Sequence, residues 1–405
     1  MDGPFDLTFG VELEFIVVYI REDYLGLCDK AFGPHHHSEE EFEIMLLQHI
    51  VDVLRASSFA VNDPHHDYIL KWTVTTNKSV EVEVEKDKLS PDLQVINRYA
   101  VELKSPAYRH TREALLEVQR AVDVIKKEFS VFVNETCGFH VHVGNRDRGF
   151  TLETMKNLSL LVTIFERQFN QLHPRHRISN SWCQTPAFQF PGRNLWEIFK
   201  AIEAMPDIRN LIGLMCGGSE FPGGSKYRAY NLCNLTDENI KTIEFRQHQG
   251  TMDECAILYW TSLTCRLVIA SHQAGPVGFI ELVKEHGNKP NFTVLDLLHH
   301  LKLDDLLRYY LYPYYSTRST SHRKRKGLWV NPPTGEWLAV GAGDGPSRDT
   351  TNSNGSNGDD RGSDGNEGSR NWNRYLNRLY RMVDAGGDVN GYDIQFISQT
   401  FWKDI

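Results

Sequence analysis

The sequence has no Cys-x-x-Cys pair, no Gly-rich phosphate fingerprint following a strand, and no apolar run near the ~20 residues that cross a bilayer. It also lacks positive charge in excess: 44 Lys and Arg stand against 53 Asp and Glu, a net charge of −9. Each absence removes a class. The seven cysteines (Cys28, Cys137, Cys183, Cys216, Cys233, Cys255 and Cys265) are scattered and odd in number, the pattern of thiols in a reducing compartment rather than of a disulfide framework. The acidic balance argues against nucleic acid or an anionic membrane as a partner. The one basic run, His322-Arg-Lys-Arg-Lys326, reads as a solvated loop. Met1-Asp-Gly-Pro-Phe-Asp6 has no basic-then-apolar pattern, so no secretory signal is expected and the cytosol is the expected location.

The 405 residues, 40% hydrophobic and 24% charged, suffice for a full core. Strand patterns fall at 7–20, 99–104, 139–143 and 242–247, and a hairpin pattern at 71–85 turns at Asn77-Lys78. Helical periodicity marks 39–56, 112–129, 152–172, 254–271 and 292–307. Strands and helices mix without a strict βαβ rhythm. That favours α+β with a largely antiparallel sheet over a doubly wound fold.

Of the 30 residues from Gly341 to Arg370, 22 are Gly, Ser, Asn or Asp, too polar to offset the entropy of ordering. The expected organisation is therefore a catalytic body over 1–315, a basic, Pro-containing connector over 316–340, a disordered insert over 341–370, and a helical segment over 371–405 that docks back on the body. Oligomeric state has no signature in the sequence.

Four segments share one design. Val11-Glu12-Leu13-Glu14-Phe15, Val101-Glu102-Leu103-Lys104, Phe139-His140-Val141-His142-Val143 and Ile243-Glu244-Phe245-Arg246 each alternate apolar and ionisable residues. On a strand, residues i and i+2 share a face. One sheet made of these strands carries four carboxylates, two imidazoles, an ammonium and a guanidinium on one side. A solvated antiparallel face alternates in the same way, and Ser79-Val-Glu-Val-Glu-Val-Glu85 reads as one. Of the other four, two pair an acid with a base and one flanks His-x-His with Phe and Val, which suits a site. Carboxylate oxygens are ligands for Mg²⁺ or Mn²⁺, and an imidazole completes such a set. Arg246 and His142 on the same face suit charge on a transferring phosphoryl group, and Lys104 joins them on face geometry alone.

Five motifs, Gly10-Val-Glu-Leu-Glu-Phe15, Val101-Glu-Leu-Lys-Ser-Pro106, Cys137-Gly-Phe-His-Val-His-Val143, Arg228-Ala-Tyr-Asn-Leu232 and Thr242-Ile-Glu-Phe-Arg246 running on to Gly250-Thr251, occur in an order that resembles the amidoligase family, its fungal-type members above all. The resemblance covers roughly residues 7–275. It implies a glutamine synthetase-like curved sheet around a metal–nucleotide site. There ATP would phosphorylate a small-molecule or peptide carboxylate, and an amine would displace the phosphate. Two or more Mg²⁺ or Mn²⁺ ions would take part. By position, Glu14 and Glu102 resemble ligands of one ion, and Glu12, His140 and Glu244 ligands of another. Arg246 resembles a γ-phosphate contact and His142 a phosphate contact or outer-sphere residue. Arg228, Asn231 and Ser105 resemble residues that bind substrate or nucleotide. The chain departs from the family at Asn77, where a Trp…Asp-x-Ser pattern would place an aspartate near the amine.

Three other readings compete: a metal-dependent hydrolase, a guanidino-type kinase on the same scaffold, and a binding protein that has lost activity. Among smaller features, His35-His36-His37 and His65-His66 read as loop clusters with metal binding as the sharper alternative. Gly217-Gly-Ser-Glu-Phe-Pro-Gly-Gly224 reads as a connector or a lid.

Overall fold

The computed structural model describes residues 5–64, 70–82, 96–178, 180–217, 225–307 and 309–310. The expectations for the connector, insert and terminal helix, for His65-His66, for Glu83 to Glu85 and for most of the Gly217–Gly224 loop lie outside these residues.

The alternating segments become the middle of one open sheet. Its strands are β1 (Thr8–Ile20), β2 (Thr73–Thr76), β3 (Ile96–Lys104), β4 (Tyr108–Arg109), β5 (Ser130–Phe132), β6 (Gly138–Gly144), β7 (Tyr230–Asn231) and β8 (Thr242–Gln249). They run in the order β2-β3-β1-β6-β8-β7, with β4 and β5 also paired to β1. Every strand pairing is antiparallel. Together with the helices this is the α+β class expected.

Register places the chemistry. Glu12 lies opposite Lys104 on β3 and His140 on β6, Glu14 lies opposite Glu102, and His142 opposite Glu244. The period of two sends Leu13, Phe15, Val101, Leu103, Phe139, Val141, Ile243 and Phe245 to the other face, where each is fully buried. Each such side chain adds roughly 2–3 kcal/mol, so a slip of one residue, which would expose them all, is strongly disfavoured. The apolar face is covered by α5 (Glu254–Gln273), which packs on β6 and β1 and against α3 (Arg112–Glu128) and α4 (Leu152–Ile164). Earlier in the chain, α1 (Glu22–Phe32) and α2 (Glu39–Ala56) pack as a helical pair, and α2 starts from a Ser38–Glu41 capping box.

Two expectations change. The hairpin over 71–85 does not form within the described residues. β2 pairs instead with β3, and the chain leaves the sheet at Asn77, whose Oδ1 accepts the Ser79 N–H at 2.8 Å and its hydroxyl at 2.6 Å. The helix over 152–172 breaks at Phe165 (φ −100°, ψ 23°) and resumes as short turns. The break lets Gln168 reach the Phe292 carbonyl at 2.9 Å.

Candidate metal and phosphate site

The ionisable face is covered rather than solvated. Glu14, His140 and Glu244 are at most 5% exposed. The side chains of Glu12, Glu102, His142 and Arg246 are 13–18% exposed, and only Lys104, at 28%, reaches further out. Acids on a solvent face would not be sequestered in this way.

Glu12 is the hub. One of its oxygens lies 3.1 Å from His140 Nδ1 and the other 3.2 Å from His142 Nε2. Glu244 lies 3.7 Å from His140 Nδ1 and 3.8 Å from His142 Nε2, and is also paired with Arg246. Asn231, placed opposite Glu244 by β7, donates to its second oxygen at 2.7 Å. Glu14 accepts the Gly138 N–H at 2.5 Å and lies 3.9 Å from His140 Nε2. Glu102 is held by Lys104 at 3.1 Å.

Among the described residues of this face, two triplets of donor atoms are close enough to hold an ion, Glu12–His142–Glu244 and Glu12–Glu102–His140. This grouping differs from the division the resemblance implied. Glu12 belongs to both triplets, His142 joins one, and Glu14 stands beside them.

The electrostatics follow from crowding. Burial favours the neutral form of Glu12, but the charge of His142 and the hydrogen bond with His140 Nδ1 outweigh it and hold its carboxyl well below the usual range. Glu244 is lowered in the same manner, His142 and Arg246 overcoming burial. His142 is raised, because Glu12 and Glu244 outweigh its burial. Glu102 is raised, first by burial and then by repulsion from Glu12, with Lys104 offsetting part.

Geometry around one further residue, absent from the sequence reading, changes the charge count. Arg177 is 3% exposed and donates from Nη2 to the Arg246 carbonyl at 2.6 Å and from Nε to the Gln247 carbonyl at 3.3 Å. Those carbonyls lie in a β-bulge, where Phe139 pairs with His248 but Val141 pairs with Phe245. A Cβ built on Gly138 would sit 3.2 Å from both Arg177 Nη2 and a Glu14 oxygen, and 2.6 Å from His140 Nε2, so only glycine lets these groups converge. The four glutamates then face Lys104, Arg177 and Arg246. Neutrality needs one more cation, a proton on His142 or a metal ion. Arg177 follows His173-Pro-Arg-His in a segment with no period, so no sequence signal marked it.

Other named residues take different places. Ser105 Oγ accepts the Val11 N–H and donates to the Pro106 carbonyl, each at 2.9 Å, bracing β3 against β1. Arg228 is buried, bonded to Gln184 and to the Gly217 carbonyl (3.1 Å), and stacked over Phe188; none of these partners is in the carboxylate cluster.

The sheet thus presents buried carboxylates and imidazoles in triplets spaced closely enough to hold an ion, with the Arg177 and Arg246 guanidinium groups beside them. Residues 6–268, well over half of the chain, match the family described as "Putative amidoligase enzyme", and the chain belongs to that family. No curated protein matches it.

Proposed function

We propose that this amidoligase is an ATP-dependent carboxylate–amine ligase acting on a small-molecule or peptide acid in the cytosol. The observation that carries the reading is His142. Its Nδ1 is tied to Thr242 Oγ1 at 3.1 Å, and its buried Nε2 has no hydrogen-bond partner, although it faces Glu12 and Glu244. A buried polar atom without a partner costs about 1–3 kcal/mol, and a divalent cation satisfies it. Glu12, Glu102, His140, His142 and Glu244 are the donors that would hold Mg²⁺ or Mn²⁺, with Glu14 beside them; bound there, such ions would offset the charge of the ATP phosphates.

The chain's own groups supply the rest. The Arg246 guanidinium is aimed by Glu244 and by the Trp182 carbonyl, 3.4 Å from its Nε, and its remaining donors suit the oxygens of the transferring phosphoryl group. Arg177 sets fixed positive charge beside Glu14, where it would orient the acceptor carboxylate. A carboxylate oxygen takes the γ-phosphoryl group and ADP leaves. The amine nitrogen then attacks the acyl carbon, and the C–O electron pair leaves with phosphate. The amine proton goes to a group other than Asn77, whose Oδ1 is already engaged by Ser79 and whose amide is not a base.

The test is product balance. With Mg·ATP, acid and amine together, ADP and phosphate should appear one for one with the amide. A hydrolase would act without ATP, a guanidino kinase would yield ADP without phosphate, and a binding protein would yield neither.

A further inference from the structure

A second cluster of donors lies outside the sheet, in the loop between α1 and α2. The loop is fixed at both ends. Gly33, in the left-handed region at φ 88°, returns its N–H to the Asp29 carbonyl at 2.9 Å, and Ser38 caps α2 with Glu41. His37 is 4% exposed and lodged between the Phe32 and Phe42 rings. Its Nε2 is bonded to Asp29 at 2.8 Å, while its buried Nδ1 has no hydrogen-bond partner and faces Glu41 Oε2 at 3.5 Å. His35 lies beside it, with Nδ1 bonded to the Gly33 carbonyl at 2.9 Å and Nε2 hydrogen-bonded to Glu41 Oε1 at 3.1 Å.

The chemistry of this arrangement is specific. In His37 the outer nitrogen alone is hydrogen-bonded to an oxygen, so it carries the proton and Nδ1 turns a lone pair toward Glu41. A lone pair and a carboxylate that face each other repel unless a cation lies between them. With the proton of His35 held by the Gly33 carbonyl, one nitrogen of each ring and a Glu41 oxygen lie close enough to share one ion. Outer-nitrogen hydrogen bonds to a carboxylate and a carbonyl are the arrangement that orients histidines bound to a metal. Tetrahedral zinc with bonds of about 2.05 Å separates its ligand atoms by about 3.3 Å, and the two nitrogen–oxygen separations here bracket that figure.

We propose that His35 Nε2, His37 Nδ1 and Glu41 form a site for a borderline-soft divalent cation, zinc in first place. Two imidazoles and one carboxylate favour zinc over Mg²⁺. The site shares no residue with the strand cluster and does not depend on the ligase reading. By joining Glu41 at the start of α2 to the loop held by Asp29 of α1, the ion clasps the helical pair.

The experiment measures zinc bound per chain, by elemental analysis after chelator treatment, reloading and desalting into millimolar Mg²⁺. It compares the full-length wild type, Glu12→Gln and His35→Ala. His35 is the variant of choice because its side chain is 47% exposed and its loss leaves the core intact. Wild type and Glu12→Gln should each retain one tight zinc equivalent and a zinc-induced rise in Tm of several degrees. His35→Ala should lose both, with unchanged secondary structure by circular dichroism. Cobalt in place of zinc should give the visible absorption of a tetrahedral nitrogen–oxygen site in wild type and not in His35→Ala. The proposal is overturned if His35→Ala keeps the equivalent and the Tm shift. It is equally overturned if the wild type retains no zinc, in which case protonated imidazoles hold the carboxylate.

Discussion

Glu12 bridges the two imidazoles of β6, one oxygen 3.1 Å from His140 Nδ1 and the other 3.2 Å from His142 Nε2. It is the residue common to the two ion-sized triplets of the sheet. Glu12→Gln should therefore weaken Mn²⁺ or Mg²⁺ binding at both, by 100-fold or more overall. The change keeps the side-chain shape, so the fold should survive. Titration calorimetry with Mn²⁺ gives the check; two undiminished sites in the variant would remove Glu12 from its role.

Gly138 and Gly250 separate activity from stability. A methyl at Gly138 would press on His140, Arg177 and Glu14, whereas one at Gly250 would lie 2.3 Å from the buried Cys137 Cβ. Gly138→Ala should lower turnover about 100-fold, as misplacement of this size does, with a small change in Tm. Gly250→Ala should cost about 1–3 kcal/mol of stability through overpacking. Thermal unfolding and turnover on the same two samples distinguish them.

Arg177→Lys tests the buried fork. Lysine keeps the charge but cannot serve the Arg246 and Gln247 carbonyls at once. We expect a stability loss of about 1–3 kcal/mol for an unpaired buried carbonyl. The KM for the acid should rise more than the KM for ATP, and equal rises would refute the carboxylate-orienting role.

Much of this site was legible because a strand has an integral period. Residues two apart share a face whatever the neighbours, so Glu12/Glu14, His140/His142 and Glu244/Arg246 were paired before any sheet existed. Strand order and register depend on distant pairings and were not legible. Neither was the bulge that turns the Arg246 and Gln247 carbonyls toward Arg177, nor Arg177 itself on an aperiodic segment. Among the described residues β2 pairs with β3 rather than in a hairpin over 71–85 for a related reason: an Asn77 turn fits a hairpin, but β3 gives β2 a buried partner. The helix from Leu152 broke because contacts beyond Phe165, such as that of Gln168 with Phe292, outweigh continued helical bonding.

Two partly buried histidines set an acid limit on stability. Burial and the Arg266 charge lower His110 to about 4, and burial lowers His248 to about 4 against the bond to the Gln249 carbonyl. In the unfolded chain both titrate near their ordinary value of about 6.5. Between those values the unfolded state binds the proton first, so stability is intact above pH ~6.5 and falls as pH drops toward 4. The loss should be on the order of 2 kcal/mol for each ring, allowing for partial exposure. Denaturant midpoints across this range test the sign, and His248→Gln should flatten part of the slope.

If the strand-borne carboxylates and imidazoles run an ATP-dependent ligation, mass spectrometry of ADP, phosphate and amide formed from Mg·ATP with pooled acids and amines, in wild type and Glu14→Gln, will show it. Glutamine at position 14 can still accept the Gly138 N–H, so the variant should fold. Wild type should give stoichiometric ADP, phosphate and amide, none of them when divalent metal is withdrawn, and Glu14→Gln should give none. Full activity in Glu14→Gln, or turnover without divalent metal, would contradict it.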